Sequence, residues 1–208
     1  MNNFSAGDCI RFGWETFKKR PWFFVGVTLL VGILTAVGSG IGNAFGDQGV
    51  GAGLGNLINF AISTLIGLGT TTFYLRAHDA PDSVESSALW NPGPFWRYLG
   101  ATLLFGLFFI VGLILLVVPG IIVALMLMFT CYIVVDRNMG PIEALKESKR
   151  ITKGHLGQLF GFFLLFLLIN ILGAVALVVG LLVSVPVTML AMVHAYRTLA
   201  QSGTSVSA

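Results

Sequence analysis

All twelve lysines and arginines of this chain fall at one end of its long apolar stretches, and the stretches themselves carry no charge at all. The runs are Trp22–Ile41, Leu54–Leu75, Tyr98–Val118, Ile121–Val135, Leu156–Val179 and Leu181–Ala195. A helix needs roughly 20 residues to cross a hydrocarbon core of about 30 Å. Inside that core each backbone polar group must find its partner within the protein, so a spanning segment of this kind is helical. Four runs qualify outright. The fourth and sixth are near 15 residues and are short unless their helices extend beyond them.

Composition agrees: of 208 residues, 56% are hydrophobic and 10% charged, where soluble domains carry about a quarter charged residues. This excludes a disordered chain, a disulfide scaffold, a nucleic-acid module and an ordinary soluble domain. The expected class is an all-α integral membrane protein with six transmembrane helices. Arg11, Lys18, Lys19 and Arg20 precede the first run, and Arg76 and Arg97 lie between the second and third. Arg137, Lys146, Lys149, Arg150 and Lys153 lie between the fourth and fifth, and Arg197 follows the sixth. By the positive-inside rule both termini are expected in the cytoplasm. The run after Lys18–Arg20 is longer than the roughly 7–15 residues of a signal peptide and reads as a span.

Aromatics repeat the asymmetry. Trp14, Trp22, Trp90, Trp96, Tyr74, Tyr98, Tyr132 and Tyr196 all fall near the basic boundary, where amphipathic rings form a belt. The opposite turns, 117–121 and 178–181, carry no polar side chain. Cys9 and Cys131 lack ligand or redox spacing and read as free thiols.

A shift of 135 residues aligns Arg11 with Lys146, Lys18 with Lys153, Gly26 with Gly161 and Gly38 with Gly173. The pattern is an amphipathic interfacial helix, a span, a Gly or Pro break and a returning span. The middle third fits with a truncated lead-in. The single membrane domain, residues 1–208, therefore reads as three parallel hairpin units, about 5–79, 92–137 and 141–199. Ser5 with Asp8 marks the start of the first interfacial helix, which places Ile10, Trp14 and Phe17 on its inward stripe. The second runs from Pro141 to a stop at Gly154, with Glu143/Lys146 and Glu147/Arg150 as i, i+3 pairs.

The series Asp136, Pro141, Ala144, Ser148 and Gly154 lies between a span opening at Pro119-Gly120 and one ending at Ala195-Tyr196-Arg197. This constellation resembles the membrane domain attached to some bacterial glycerophosphoryl diester phosphodiesterases, and related small bacterial membrane proteins of unknown function. Those relatives usually carry Trp after the Ser, where this chain has Lys149. The resemblance implies a six-helix hairpin domain and no activity, since the phosphodiesterase chemistry belongs to a separate soluble domain.

Mid-span ionisable groups, the usual mark of ion coupling, are missing from the sequence. Asn59, Asn170 and His194 are the candidate polar contacts in the bundle; an Asn at such a depth usually makes an interhelical hydrogen bond. Ser39 and His194 lie at opposite ends of their spans, about 30 Å apart, too far for nucleophile and base. His78, Asp79, Asp82 and Glu85 read as a solvated loop rather than a metal site. No metal or cofactor is expected. The reading is a non-catalytic membrane-embedded scaffold or accessory subunit, with Arg11, Trp14, Lys146, Lys149, Arg150 and Lys153 meeting anionic lipid headgroups and another membrane protein. Two competing readings are transport or binding of a lipid-like or apolar solute through the bundle, and membrane shaping by apolar-tipped hairpins.

Overall fold

A computed structural model describes residues 4–44, 49–115 and 117–204. Every regular element among them is helical, and six stretches are long and apolar enough to cross a membrane. The fourth, Val118–Arg137, and the sixth, Val179–Gln201, reach 20 and 23 residues because their helices continue past the apolar runs.

The chain folds as sequential pairs, each closed by glycine. Helix α1 (Ala6–Lys19) starts at Ser5, whose hydroxyl accepts the Asp8 N–H at 3.4 Å. Pro21 opens α2 (Pro21–Asn43), a position where its missing N–H costs nothing. The returning α3 (Gly49–Asp79) packs along α2. A β-carbon on Gly38 would strike Ile62 at 2.6 Å, and one on Gly42 would strike Asn59 at 2.8 Å. Small residues of this kind let helix backbones approach in lipid. α4 (Phe95–Leu115) meets α5 (Val117–Leu127) at Gly112 and Gly120, and α8 (Leu156–Val175) meets α9 (Leu177–Thr204) at Gly173 and Gly180. Leu116 and the side chains of Val117 and Val178, in the apolar turns noted above, lie outside the described residues.

The fourth span is broken, where the sequence reads as one continuous run. α5 ends at Leu127 and α6 (Thr130–Arg137) begins after Phe129, which sits at φ −95°, ψ 1°. A break frees carbonyls that lipid cannot satisfy. Here hydroxyls satisfy them. Ser148 of α7 (Pro141–Thr152) donates to the Met126 carbonyl at 2.9 Å, the Thr152 hydroxyl lies 3.2 Å from the same oxygen and 2.8 Å from the Ser148 carbonyl, and Thr130 donates to the carbonyl of Leu127 at 2.7 Å. An orphaned buried acceptor costs about 1–3 kcal/mol. The double variant Ser148→Ala, Thr152→Val is therefore expected to lose about 2 kcal/mol of stability in detergent, read by thermal unfolding. An unchanged midpoint would show that the Met126 carbonyl finds another donor.

The buried core lies toward the basic end, around Phe24, Phe73, Phe129, Ile133, Leu190 and Tyr196. Toward the far end Leu34, Leu57, Ile110, Leu168 and Val175 are exposed. That distribution follows from the solvent: lipid tails are as apolar as leucine, so burying such side chains between spans gains little there. All four tryptophans are exposed, as belt residues are. The tyrosines correct the expectation. Tyr74, Tyr98 and Tyr196 are buried core residues, and the Tyr98 hydroxyl lies 3.4 Å from that of Thr71.

Two further features are the packing of α1 and the course of the 80–94 connection. The protein-facing side of α1 is Cys9, Gly13, Thr16 and Phe17, with Gly13 against Val187 and Ala191 of α9. Trp14 is 45% exposed and stacks on Phe17. The 80–94 connection folds back along α3, with Asp82 and Glu85 exposed. Its Leu89 carbonyl presses on Gly69, Asn91 donates to Thr72 at 3.4 Å, and Arg20 donates to the carbonyls of Asp82 and Val84.

Candidate functional site

The basic-end termini of the three returning helices converge. Arg197 on α9 donates through Nη2 to Asp79 of α3 at 2.6 Å and through Nη1 to Asp136 of α6 at 2.9 Å. The Tyr196 hydroxyl donates to the same Asp136 carboxylate at 2.7 Å. One guanidinium fork thus joins two carboxylates from two other hairpins, a geometry a lysine cannot copy. Asp136 is the more enclosed acid, its side chain 18% exposed against 52% for Asp79.

A second contact binds α1 to the same cluster. His78 Nδ1 lies 3.1 Å from Asp79, and His78 Nε2 lies 3.1 Å from His194 Nδ1. The Phe12 ring stacks on His194, with centroids 4.1 Å apart, and tilts against His78. This arrangement cross-braces helices, and among the described residues no group of three or more metal-ligating side chains forms. His78 and Asp79 therefore belong to the end of α3 and its ties, not to a solvated loop.

The bundle candidates are not brought together. Asn170 donates to Thr188 at 3.2 Å and to the Phe166 carbonyl at 2.8 Å, and accepts from Ser184 at 3.1 Å, all within the α8/α9 pair. Asn59 stays in the α2/α3 pair, where it accepts from Ser63. His194 serves the His78 contact.

Of the expected interaction residues, Lys146 and Lys149 share one exposed stripe of α7 with Ile142, within about 60° of arc at 3.6 residues per turn, and Lys153 is exposed at the C-cap that follows. The opposite face, Ala144, Leu145, Ser148, Ile151 and Thr152, is buried. Arg150 is engaged by Glu147 at 2.7 Å, and Arg137 bonds the same carboxylate. The Arg150 hydrogen bond, aided by Arg137 against the opposing effect of burial, holds the Glu147 carboxyl below its ordinary range. Glu143 turns back to accept the Gly140 N–H at 3.2 Å, a helix cap in place of the expected Lys146 pair. Arg11 lies open on α1, 4.0 Å from Asp8 and 3.8 Å from Glu15. It and Trp14 belong to a helix packed on α9 and α8, whereas α7 packs chiefly on α4, α5 and α6. Cys9 is buried against α9, and burial, then the neighbouring Asp8, pushes its thiol up to about 12.

Asp79, Asp136, Tyr196 and Arg197 escaped sequence reasoning as a site. The available signal was modest: acids at the ends of two apolar runs that are otherwise uncharged.

Comparison with known proteins gives a family and no activity. The family model described as "Domain of unknown function (DUF7847)" matches residues 49–207. Uncharacterised proteins of Mycobacterium tuberculosis and Mycobacterium bovis are 26% identical over 235 aligned residues, covering 95% of this chain and 69% of theirs. No solved structure matches. These matches support a bacterial family of unknown function, without showing a link to the phosphodiesterase membrane domain. On the match to residues 49–207, the chain belongs to the DUF7847 family of unknown function.

Proposed function

We propose that this protein is a non-catalytic scaffold or accessory subunit of a complex in the bacterial cytoplasmic membrane, with both termini in the cytoplasm. The observation that carries the reading is the α7 stripe. Lys146, Lys149 and Lys153 point outward and form no ion pair among the described residues, on a helix fixed from behind by Ser148 and Thr152. A basic stripe beside the headgroups attracts anionic lipid, at about 1 kcal/mol per lysine. An exposed Ile142 at its head adds an apolar contact for a protein neighbour.

The three-unit repeat is part of this proposal, and the packing supports it. The lead-in helices rest on the hairpins of other units, α1 on α9 and α7 on α4 to α6, and the short 3-10 turn Ser86–Leu89 ahead of the middle unit rests on α3. Such a closed cycle makes a rigid platform. The amphipathic α1 and α7 sit at its basic rim.

Replacing Lys146, Lys149 and Lys153 with glutamine tests the reading. Native mass spectrometry after gentle extraction is expected to show a stoichiometric protein companion and retained anionic lipid for the parent chain. The triple variant should insert normally and lose both, with lipid affinity down about 100-fold. A parent chain that emerges without a companion, or a variant that keeps it in full, would overturn the scaffold reading.

A further inference from the structure

Between α2, α3 and the folded-back connection lies a groove of about 540 Å³, within the size range of small-molecule sites. Its walls are aliphatic: Leu30, Leu34, Val37 and Ile41 from α2 face Ile62 and Leu65 from α3. Its polar groups come from Ser86, Ser87 and Asn91 of the connection. The antiparallel contacts of Gly38 with Ile62 and of Gly42 with Asn59 fix the register of the two helices. In that register Leu30 lies toward the α3 segment that meets Leu89 at Gly69 and Asn91 at Thr72. The groove therefore has one polar end, at the connection, and runs along α2 to Ile41, about 16 Å at 1.5 Å per residue. Trp90 lines the same end and is exposed, the position of an interfacial indole. Leu30, Leu34, Val37 and Ile41 are themselves exposed, so the groove opens sideways onto the surface that faces lipid.

We propose that this groove is a binding site for one acyl chain of a glycerophospholipid from the leaflet on the basic side. The chain lies along the α2/α3 seam, and its ester and headgroup region rests against Ser86, Ser87 and Asn91. One feature favours this occupant over a partner helix. The groove lies along two helices already in close contact at Gly38 and Gly42, and its lining changes from hydroxyl and amide groups at one end to aliphatic side chains elsewhere. That is the polarity profile of a single lipid chain under its headgroup. A transmembrane partner helix, apolar all round, would leave those hydroxyl and amide groups unmatched. Arg20 braces the connection from behind through Asp82 and Val84, so the polar end is held in place before lipid arrives.

The test is photolabelling of the full chain in phosphatidylethanolamine/phosphatidylglycerol nanodiscs, with a trace of phosphatidylglycerol bearing a mid-chain diazirine, followed by peptide mapping. Adducts are expected on Leu34–Ile41 and Ile62–Ile66 at five-fold or greater density over the exposed α8 residues Leu164, Leu168 and Val175. Leu65→Trp fills the groove and should cut its labelling at least five-fold while α8 labelling stays unchanged. Equal density on α2/α3 and α8 would mean annular lipid only, and overturns the site without needing the variant. Labelling of the groove that persists in Leu65→Trp, or that gives way to protein–protein crosslinks through those residues, overturns it as well.

Discussion

Arg197→Ala will lower stability in detergent by about 3 kcal/mol, more than any other single charge removal in this chain. The loss comes chiefly from Asp136, an acid with an 18% exposed side chain that keeps only the Tyr196 hydroxyl once the guanidinium is gone. Removing one partner of such an enclosed pair costs several kcal/mol because the remaining charge stays desolvated. Asp79 contributes little, being half exposed and screened by solvent. Arg197→Lys should recover only part of the loss, since an ammonium cannot span both carboxylates as the fork does. The double variant Arg197→Ala, Asp136→Asn should be more stable than Arg197→Ala alone, because it removes the stranded charge. Thermal unfolding of the four proteins reads all of this. No relief from Asp136→Asn would mean that Arg197 stabilises by packing and not by charge.

Gly13→Leu will detach α1. A side chain at Gly13 has no space, because even a β-carbon meets the Val187 carbonyl and lies 3.1 Å from the Ala191 nitrogen. Both are backbone atoms of a helix and cannot swing aside, so the expected cost is about 2–3 kcal/mol. The direct readout is Cys9, whose thiol burial pushes up to about 12 while α1 is docked. Once exposed, a cysteine returns toward about 8.5. Alkylation of Cys9 by a water-soluble maleimide at pH 8 should therefore accelerate at least ten-fold in the variant, followed by peptide mapping to separate it from Cys131. Unaltered protection of Cys9 would show that α1 is held by Phe12 and Phe17 and not by close approach at Gly13.

The six spans were legible because hydropathy over 20 residues is a local property, and the chain keeps its charges outside the apolar runs. The Ser5 and Pro141 helix starts were legible for the same reason. What escaped was long-range. The Asp79–Arg197–Asp136 tie joins residues 57 to 118 positions apart, and no periodicity says which helix ends meet. The break after Leu127 carries neither proline nor glycine, and the hydroxyl that meets its Met126 carbonyl comes from Ser148 on a separate helix, α7. Ser148 stood within the family-like motif, but its task was visible only once its acceptor was. The tyrosines misled because composition places them at a boundary without saying whether the phenol faces lipid or protein.

The docking of α1 on α9 sets a timetable for synthesis. Helix α1 has its main partner in α9, since Gly13 meets Val187 about 170 residues later. At roughly 5–20 residues per second, α1 waits on the order of 10–35 seconds before its seat exists. During that interval its apolar face is uncovered, and the hairpins assemble without it. A ribosome stalled before α9 emerges would therefore leave five of the six spans made and α1 still undocked.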